Sequence, residues 1–283
     1  MLALRIGLGQ VRPVLGDVSR NVALHMEWID EAVTQGIQLL VFPELGLTGY
    51  FLKDLTLEVA RSIDHPEIKR MVEASNRLDL VFSFIEESRD HRFYVAAVYA
   101  SKGQVVHVHR KLYLPTYGMF EEGRHFAKGD SLQAFDTEVA SRVGMAICED
   151  AWHPSIPYLL SVAGVDVMVI PSAGPGRALS GDPNSGSQQF WHRLIRTYAQ
   201  LFTSYVVFVN RVGFEDGVFF FGHSAVAGPD GELVASTASI DERLLAVDVD
   251  LDLLRKERYR SPFLRDEDPH LTLRMLTRLL GRE

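Results

Sequence analysis

The feature that most limits how this chain can fold is a short apolar run that recurs and stops at a chemically capable side chain. Leu4, Ile6 and Leu8 alternate with Arg5 and Gly7, the period of a strand. Asp17 or Ser19 can cap a helix running to about Gln35, with Val22, Met26, Ile29 and Val33 on one face and Gly36 closing it. Leu39 to Phe42 is a buried strand stopped by Pro43, which leaves Glu44 just past its end. After a helical stretch from Pro66 to Leu78, three strands are predicted over Leu80–Phe84, Phe93–Ala100 and Val105–His109, and Lys111 follows the last. Val143–Ile147 reads as a strand that Cys148 ends. Helices over Pro154–Gly164 and Gln188–Phe202 alternate with strands over Val167–Ile170, Tyr205–Asn210, Phe219–Val226 and Leu244–Val249. Strands and helices in alternation specify an α/β fold.

Composition narrows the context. The chain has 283 residues and is 47% hydrophobic, enough to build one substantial core without covalent staples. A net charge of −8 argues against a nucleic-acid partner, which requires a basic face. The one cysteine cannot form an internal disulfide and suits a reducing compartment. Met1 to Gly9 is too short for a signal peptide or a membrane span, and no apolar run elsewhere approaches ~18 residues. The expectation is a cytoplasmic protein with no membrane association. No linker or repeat divides the sequence, and the charge-rich tail ends in a short helix opened by Pro269, suited to packing on a partner subunit.

Glu44, Lys111 and Cys148 each follow a short apolar strand, and strand ends on one edge of a sheet converge on one crevice. Their chemistry is complementary. A thiol attacks a carbonyl once a base has taken its proton, a carboxylate can be that base, and an ammonium can hold the charge that develops on the carbonyl oxygen. Each residue also has a plainer reading: Cys148 as a small core hydrophobe, Glu44 as a helix cap, Lys111 as a solvated lysine.

The local sequences resemble one family. Phe42-Pro43-Glu44-Leu45-Gly46-Leu47-Thr48-Gly49-Tyr50, His109-Arg110-Lys111-Leu112-Tyr113-Leu114-Pro115 and Gly144-Met145-Ala146-Ile147-Cys148-Glu149-Asp150-Ala151-Trp152 resemble, in order, the glutamate, lysine and cysteine motifs of the nitrilase (carbon–nitrogen hydrolase) superfamily. Asn210-Arg211-Val212-Gly213 and Phe221-Gly222-His223-Ser224 resemble its late strands. The resemblance implies a four-layer α-β-β-α sandwich over residues 1–258, with a tail over 259–283 that packs on a neighbouring subunit of a homodimer or larger homo-oligomer. It also implies hydrolysis of a non-peptide amide through a cysteine thioester, with Glu44, Lys111 and Cys148 as the catalytic triad. Phe120-Glu121-Glu122 resembles the stretch holding a second glutamate, which makes Glu122 a positioning carboxylate. No metal or other cofactor is implied.

The substrate is less legible. Tyr50, the loop Leu114–Phe120 and the Cys148–Trp152 stretch are most similar to the glutaminase domain of glutamine-dependent NAD synthetase, here expected to stand alone, without an ATP-binding half. That likeness implies that Tyr50, Tyr117, Phe120 and Glu149 surround a small-molecule amide. Ser172 is kept from that family's serine-rich stretch, Gly174 replaces a second serine, and Arg177 is a candidate for a substrate carboxylate or a solvated surface residue. Alternatives are a glutaminase-type subunit that supplies ammonia to a separate synthetase, and an N-carbamoyl amidohydrolase. The absence of an arginine between Trp152 and Gly164 counts against an N-carbamoyl acid. A metal hydrolase has only His107 and His109, two apart on a strand and expected on its polar outer face. A serine hydrolase lacks the nucleophile elbow, since Gly222-His223-Ser224-Ala225-Val226 has no second glycine.

Overall fold

A computed structural model describes residues 3–176 and 186–281. Its strands, numbered along the chain, are β1 (Ala3–Gln10), β2 (Leu39–Val41), β3 (Asp79–Glu87), β4 (Phe93–Ser101), β5 (Gln104–Arg110), β6 (Ala134–Thr137) and β7 (Ser141–Met145). They continue with β8 (Val167–Ser172), β9 (Tyr205–Asn210), β10 (Val212–Glu215), β11 (Val218–Phe221), β12 (Ala225–Ala227), β13 (Leu233–Ser236) and β14 (Arg243–Asp250). One six-stranded sheet has the order β14-β1-β2-β3-β4-β5 and the other β13-β12-β9-β8-β7-β6, while β10 and β11 form a separate hairpin. The sheets share a plan. Three adjacent parallel strands, β1-β2-β3 in one and β7-β8-β9 in the other, are flanked by one antiparallel strand on one side and an antiparallel pair on the other.

Side-chain alternation turns this plan into four layers. In β8, Val167 and Val169 point into the core shared with the first sheet, and Met168 and Ile170 into the core beneath the helices. In β9, Val207 and Val209 likewise oppose Val206 and Phe208. Strands buried on both faces read as continuous apolar runs, as these do. The helices Val18–Thr34 and Pro66–Ala74 pack together outside the first sheet, and Ser187–Phe202 lies on β9 and β12 outside the second. Asp17 caps the first of these helices, its carboxylate accepting the Arg20 N–H at 3.0 Å. The result is the α-β-β-α sandwich expected from the sequence.

Three readings are corrected. The strand expected over Phe219–Val226 is broken into β11 and β12, because Gly222 and His223 take left-handed φ values of 65° and 53° as the chain leaves the hairpin for the second sheet. A Cβ on Gly222 would stand 2.5 Å from Val212 Cγ1 and 2.7 Å from the Ser239 carbonyl, so glycine is required there. The strand before the cysteine stops at Met145, and Cys148 opens a 3₁₀ turn over Cys148–Trp152. The charged tail is helical over Asp252–Arg260 and Phe263–Asp266 before the expected last helix, Pro269–Leu279. Among the described residues, no helix is long and apolar enough to cross a membrane.

Candidate active site

Glu44, Lys111 and Cys148 meet at the junction of the two sheets rather than along one edge. Glu44 follows Pro43 beyond β2, in a turn fixed by the Leu45 N–H donating to Ser83 Oγ at 3.0 Å. Lys111 continues β5 by one residue, its N–H donating to the Val95 carbonyl at 2.9 Å. Its own carbonyl accepts the Gly129 N–H at 2.8 Å, and the chain passes so close that a Cβ on Gly129 would lie 2.2 Å from the Arg110 carbonyl oxygen. Cys148 comes from the second sheet, at the head of its turn with φ of 44°. A non-glycine residue in that region is strained, and such strain is concentrated at functional sites.

Glu44, Lys111 and Glu122 form a buried cluster, exposed by 0%, 1% and 4%. Lys111 Nζ donates to Glu44 Oε1 at 2.6 Å and to Glu122 Oε1 at 2.7 Å. Glu44 Oε2 accepts the Ala173 N–H at 2.9 Å, which ties it to the end of β8. The Tyr50 hydroxyl also donates to Glu122 Oε1, whereas Glu122 Oε2 has no hydrogen-bond partner among the described residues. Glu122 heads a one-turn helix, Glu122–His125, where a loop residue was expected.

One lysine cannot neutralise two buried carboxylates. Burial pushes the Glu122 carboxyl up to about 7, opposed by Lys111 and reinforced by Glu44. Burial alone would lower the Lys111 ammonium, but Glu122 and Glu44 outweigh it and hold the ammonium well above the usual lysine range. Burial, then Glu44, push the Cys148 thiol well above its ordinary value, while Lys111 and the Ala173 N–H pull the other way. Cys148 thus rests as a thiol, partly accessible, beside a carboxylate and an ammonium.

The other sequence-predicted residues fall unevenly. The Tyr117 hydroxyl donates to both carboxylate oxygens of Glu149, at 3.1 and 2.9 Å. Burial raises the Glu149 carboxyl, against the effects of Tyr117 and Lys111. Phe120 stands edge-on to both Tyr50 and Tyr117, with ring centroids 6.3 and 5.6 Å apart. A cavity of about 280 Å³ lies against Tyr50 and Glu122, bounded further by Lys53, Met119, His125 and Phe126. Ser172 is fully buried at the end of β8, its Oγ without a partner among the described residues. Arg177 lies outside the described residues. His109 is not on an outer face: it is buried, with Nε2 donating to Asp150 Oδ2 at 2.9 Å, because its side of β5 is covered by the turn that begins at Cys148. His107 stacks on Phe135, centroids 4.7 Å apart, and among the described residues no group of three or more metal-binding side chains is found. Sequence reasoning missed the Ala173 N–H and the Asp150–His109 pair. The first is backbone and has no signature. The second was signalled only by two polar residues inside apolar segments.

The carbon-nitrogen hydrolase family profile matches residues 5–259. Glutamine-dependent NAD(+) synthetase of Thermotoga maritima is 31% identical over 257 residues, covering 89% of this chain and 43% of the relative. N-carbamoylputrescine amidase of Solanum tuberosum is 29% identical over 279 residues, covering 92% of this chain and 91% of the relative. Among solved structures, a carbon-nitrogen hydrolase from Helicobacter pylori G27 superposes with a TM-score of 0.83 at 25% identity, covering 97% of this chain and 98% of the other. The chain spans less than half the length of the NAD synthetases it matches, 46% and 43% in two cases.

Proposed function

The chain belongs to the carbon–nitrogen hydrolase family, and from that premise we propose that it hydrolyses a linear, non-peptide amide through a thioester on Cys148. Glu44 takes the thiol proton, and the thiolate attacks the amide carbon. The oxyanion lies between the Lys111 ammonium and the Glu149 N–H. Glu44 returns the proton to the departing nitrogen, which leaves as ammonia or an amine. Water, deprotonated by Glu44, then cleaves the thioester and releases the acid. Glu122 positions Lys111 and, through its spare Oε2, the amide nitrogen. The observation that carries this reading is the buried Glu44–Lys111–Glu122 cluster placed beside a protonated, strained cysteine. No step calls on a metal or another cofactor.

The substrate is a small amide with a primary ammonium at its far end. Glu149, bound to Tyr117, offers a carboxylate next to the nucleophile, and Tyr50, Phe120 and Ser172 complete the proposed pocket, with Arg177, outside the described residues, kept as a candidate from the sequence alone. Glutamine and N-carbamoylputrescine, named for the relatives, both have such an ammonium. The likeness to NAD synthetases favours a second reading, in which the chain delivers ammonia to a separate synthetase. Intact-mass spectrometry after mixing with a panel of amides tests the chemistry. A thioester adduct on Cys148 is expected, and its mass identifies the acyl group. Turnover without any adduct, or by a Cys148→Ala protein, would sink the assignment. Ammonia release that requires added synthetase would select the second reading.

The domain is proposed to occupy residues 1–258, with the tail 259–283 packing on a neighbouring copy in a homo-oligomer. Tyr259 is 88% exposed, and the last helix turns Leu273, Leu276 and Leu279 outward, which supports this arrangement. A lone thiol that must stay reduced supports a cytoplasmic location.

A further inference from the structure

Lys111 and Cys148 belong to different sheets, yet any catalysis at this site depends on their separation. Glu44 forms one link, accepting from Lys111 Nζ at Oε1 and from the Ala173 N–H of the second sheet at Oε2, but it holds the lysine only through the end of its side chain. Besides the Tyr117–Glu149 contact, one side chain reaches from the cysteine turn to residues on both sides of Lys111. Asp150, fully buried two residues after Cys148, accepts at Oδ1 from the N–H groups of Leu112 and Tyr113, each at 2.9 Å. Its Oδ2 accepts from the Ile147 N–H at 2.9 Å and from His109 Nε2 at 2.9 Å. The donors at 109, 112 and 113 bracket Lys111, and the Ile147 N–H with Asp150 itself bracket Cys148. Four donors on two oxygens fill the carboxylate's usual acceptor sites, so little slack remains between the two segments.

We infer that Asp150, backed by His109, is a positioning residue that fixes the lysine ammonium relative to the nucleophilic sulfur. Asp150 touches neither sulfur nor substrate. It holds the two chain segments that bear the reacting groups, and small misplacements of reacting groups have large effects on rate. The geometry also dictates the acid. An amide at this position would offer one acceptor oxygen and one NH2, and the NH2 would face the Ile147 N–H. A glutamate would push the segments apart by a methylene. The inference rests on the proposed roles of Lys111 and Cys148, and its test is chosen to separate the two.

The test compares wild type with Asp150→Asn, His109→Leu and His109→Gln. Cys148 alkylation by iodoacetamide, followed by intact mass per folded molecule, needs no knowledge of the substrate. kcat and KM on the amide chosen by the panel are measured in parallel. Asp150→Asn should slow alkylation and lower kcat by on the order of 10²-fold, with KM nearly unchanged. His109→Leu should show a smaller loss in the same parameter. His109→Gln, whose side-chain N–H can replace imidazole Nε2–H, should recover most of it. Folded Asp150→Asn or His109→Leu protein that alkylates and turns over at the wild-type rate would overturn the inference, even if its melting temperature falls. If Asp150→Asn does not fold, the two His109 variants decide alone. Wild-type protein that alkylates at Cys148 but cleaves no amide would defeat the proposed function, and the alkylation rates would still decide the role of Asp150.

Discussion

Two buried ion clusters lie close together in this molecule, and they use their carboxylates differently. Under the β10–β11 hairpin, Glu215 is saturated: Oε1 accepts the Tyr50 and Phe51 N–H groups at 2.7 and 2.8 Å, and Oε2 accepts from Arg211 Nη2 at 2.6 Å. Arg211 is fully buried and lies over the Phe220 ring, 4.3 Å from its centroid. Every oxygen there holds a loop in place. In the Glu44–Lys111–Glu122 cluster, one lysine serves two carboxylates and Glu122 Oε2 is left over. Buried polar atoms are almost always satisfied, so spare acceptor capacity beside a thiol supports the proposal that this cluster receives another molecule. Around Arg211 the atoms left unpaired among the described residues are the donors Nε and Nη1, so what sets the Lys111 cluster apart is a spare carboxylate oxygen beside a thiol, not burial or an unpaired atom as such.

The largest effect that tests this contrast is Cys148→Ala. Turnover should fall by about 10⁴-fold or more while circular dichroism and melting temperature stay near wild type, because the nucleophile is lost without unpairing either cluster. Loss of fold would mean that the left-handed residue is needed for assembly and not only for reaction. Next come Lys111→Met and Arg211→Met, measured side by side. Each strands buried carboxylate charge and should cost about 3–5 kcal/mol of stability by denaturant unfolding. Only Lys111→Met should also abolish turnover per folded molecule. Equal rates for the two variants would erase the distinction.

The smallest effect is in pH dependence. The Glu122 carboxyl is raised in the folded protein to about 7 from 4.5. The folded state therefore binds more protons than the unfolded chain between those values. Its contribution to stability is full below 4.5 and is lost as pH rises through about 7. Glu122→Gln, fixed in the neutral form, should lack this decline. Melting temperatures of both proteins at several pH values between 4.5 and 8 check it, and parallel curves would mean that Glu122 is ionised throughout.

Much of the site was legible because each catalytic candidate follows an apolar run, and that pattern survives without tertiary knowledge. Glu44 and Lys111 were placed correctly relative to their strands for this reason. Which sheet each belongs to was not legible, since periodicity does not record pairing. β6, β10 and β13 are four-residue strands, too short to show alternation, and were missed. His109 was expected outside because it shares a strand face with His107 and polar faces usually meet solvent, and its burial comes from Asp150, 41 residues later in sequence. The apolar run through Phe219–Val226 concealed a break that depends on left-handed backbone at Gly222 and His223.

The pairing of β1 with β14 has a consequence for how the protein is made. Ala3 lies opposite Asp250 and Gln10 opposite Arg243, so the first sheet lacks its outermost strand until Arg243–Asp250 has left the ribosome. The second sheet, built from strands between Ala134 and Ser236, needs no such distant segment. Pairings this far apart in sequence form late and slowly. The thiol-bearing sheet closes with β13 at Ser236 and the sheet that positions Glu44 and Lys111 closes with β14 at Asp250, so both halves of the site are completed near the same point of synthesis and the cluster assembles only once the domain is whole.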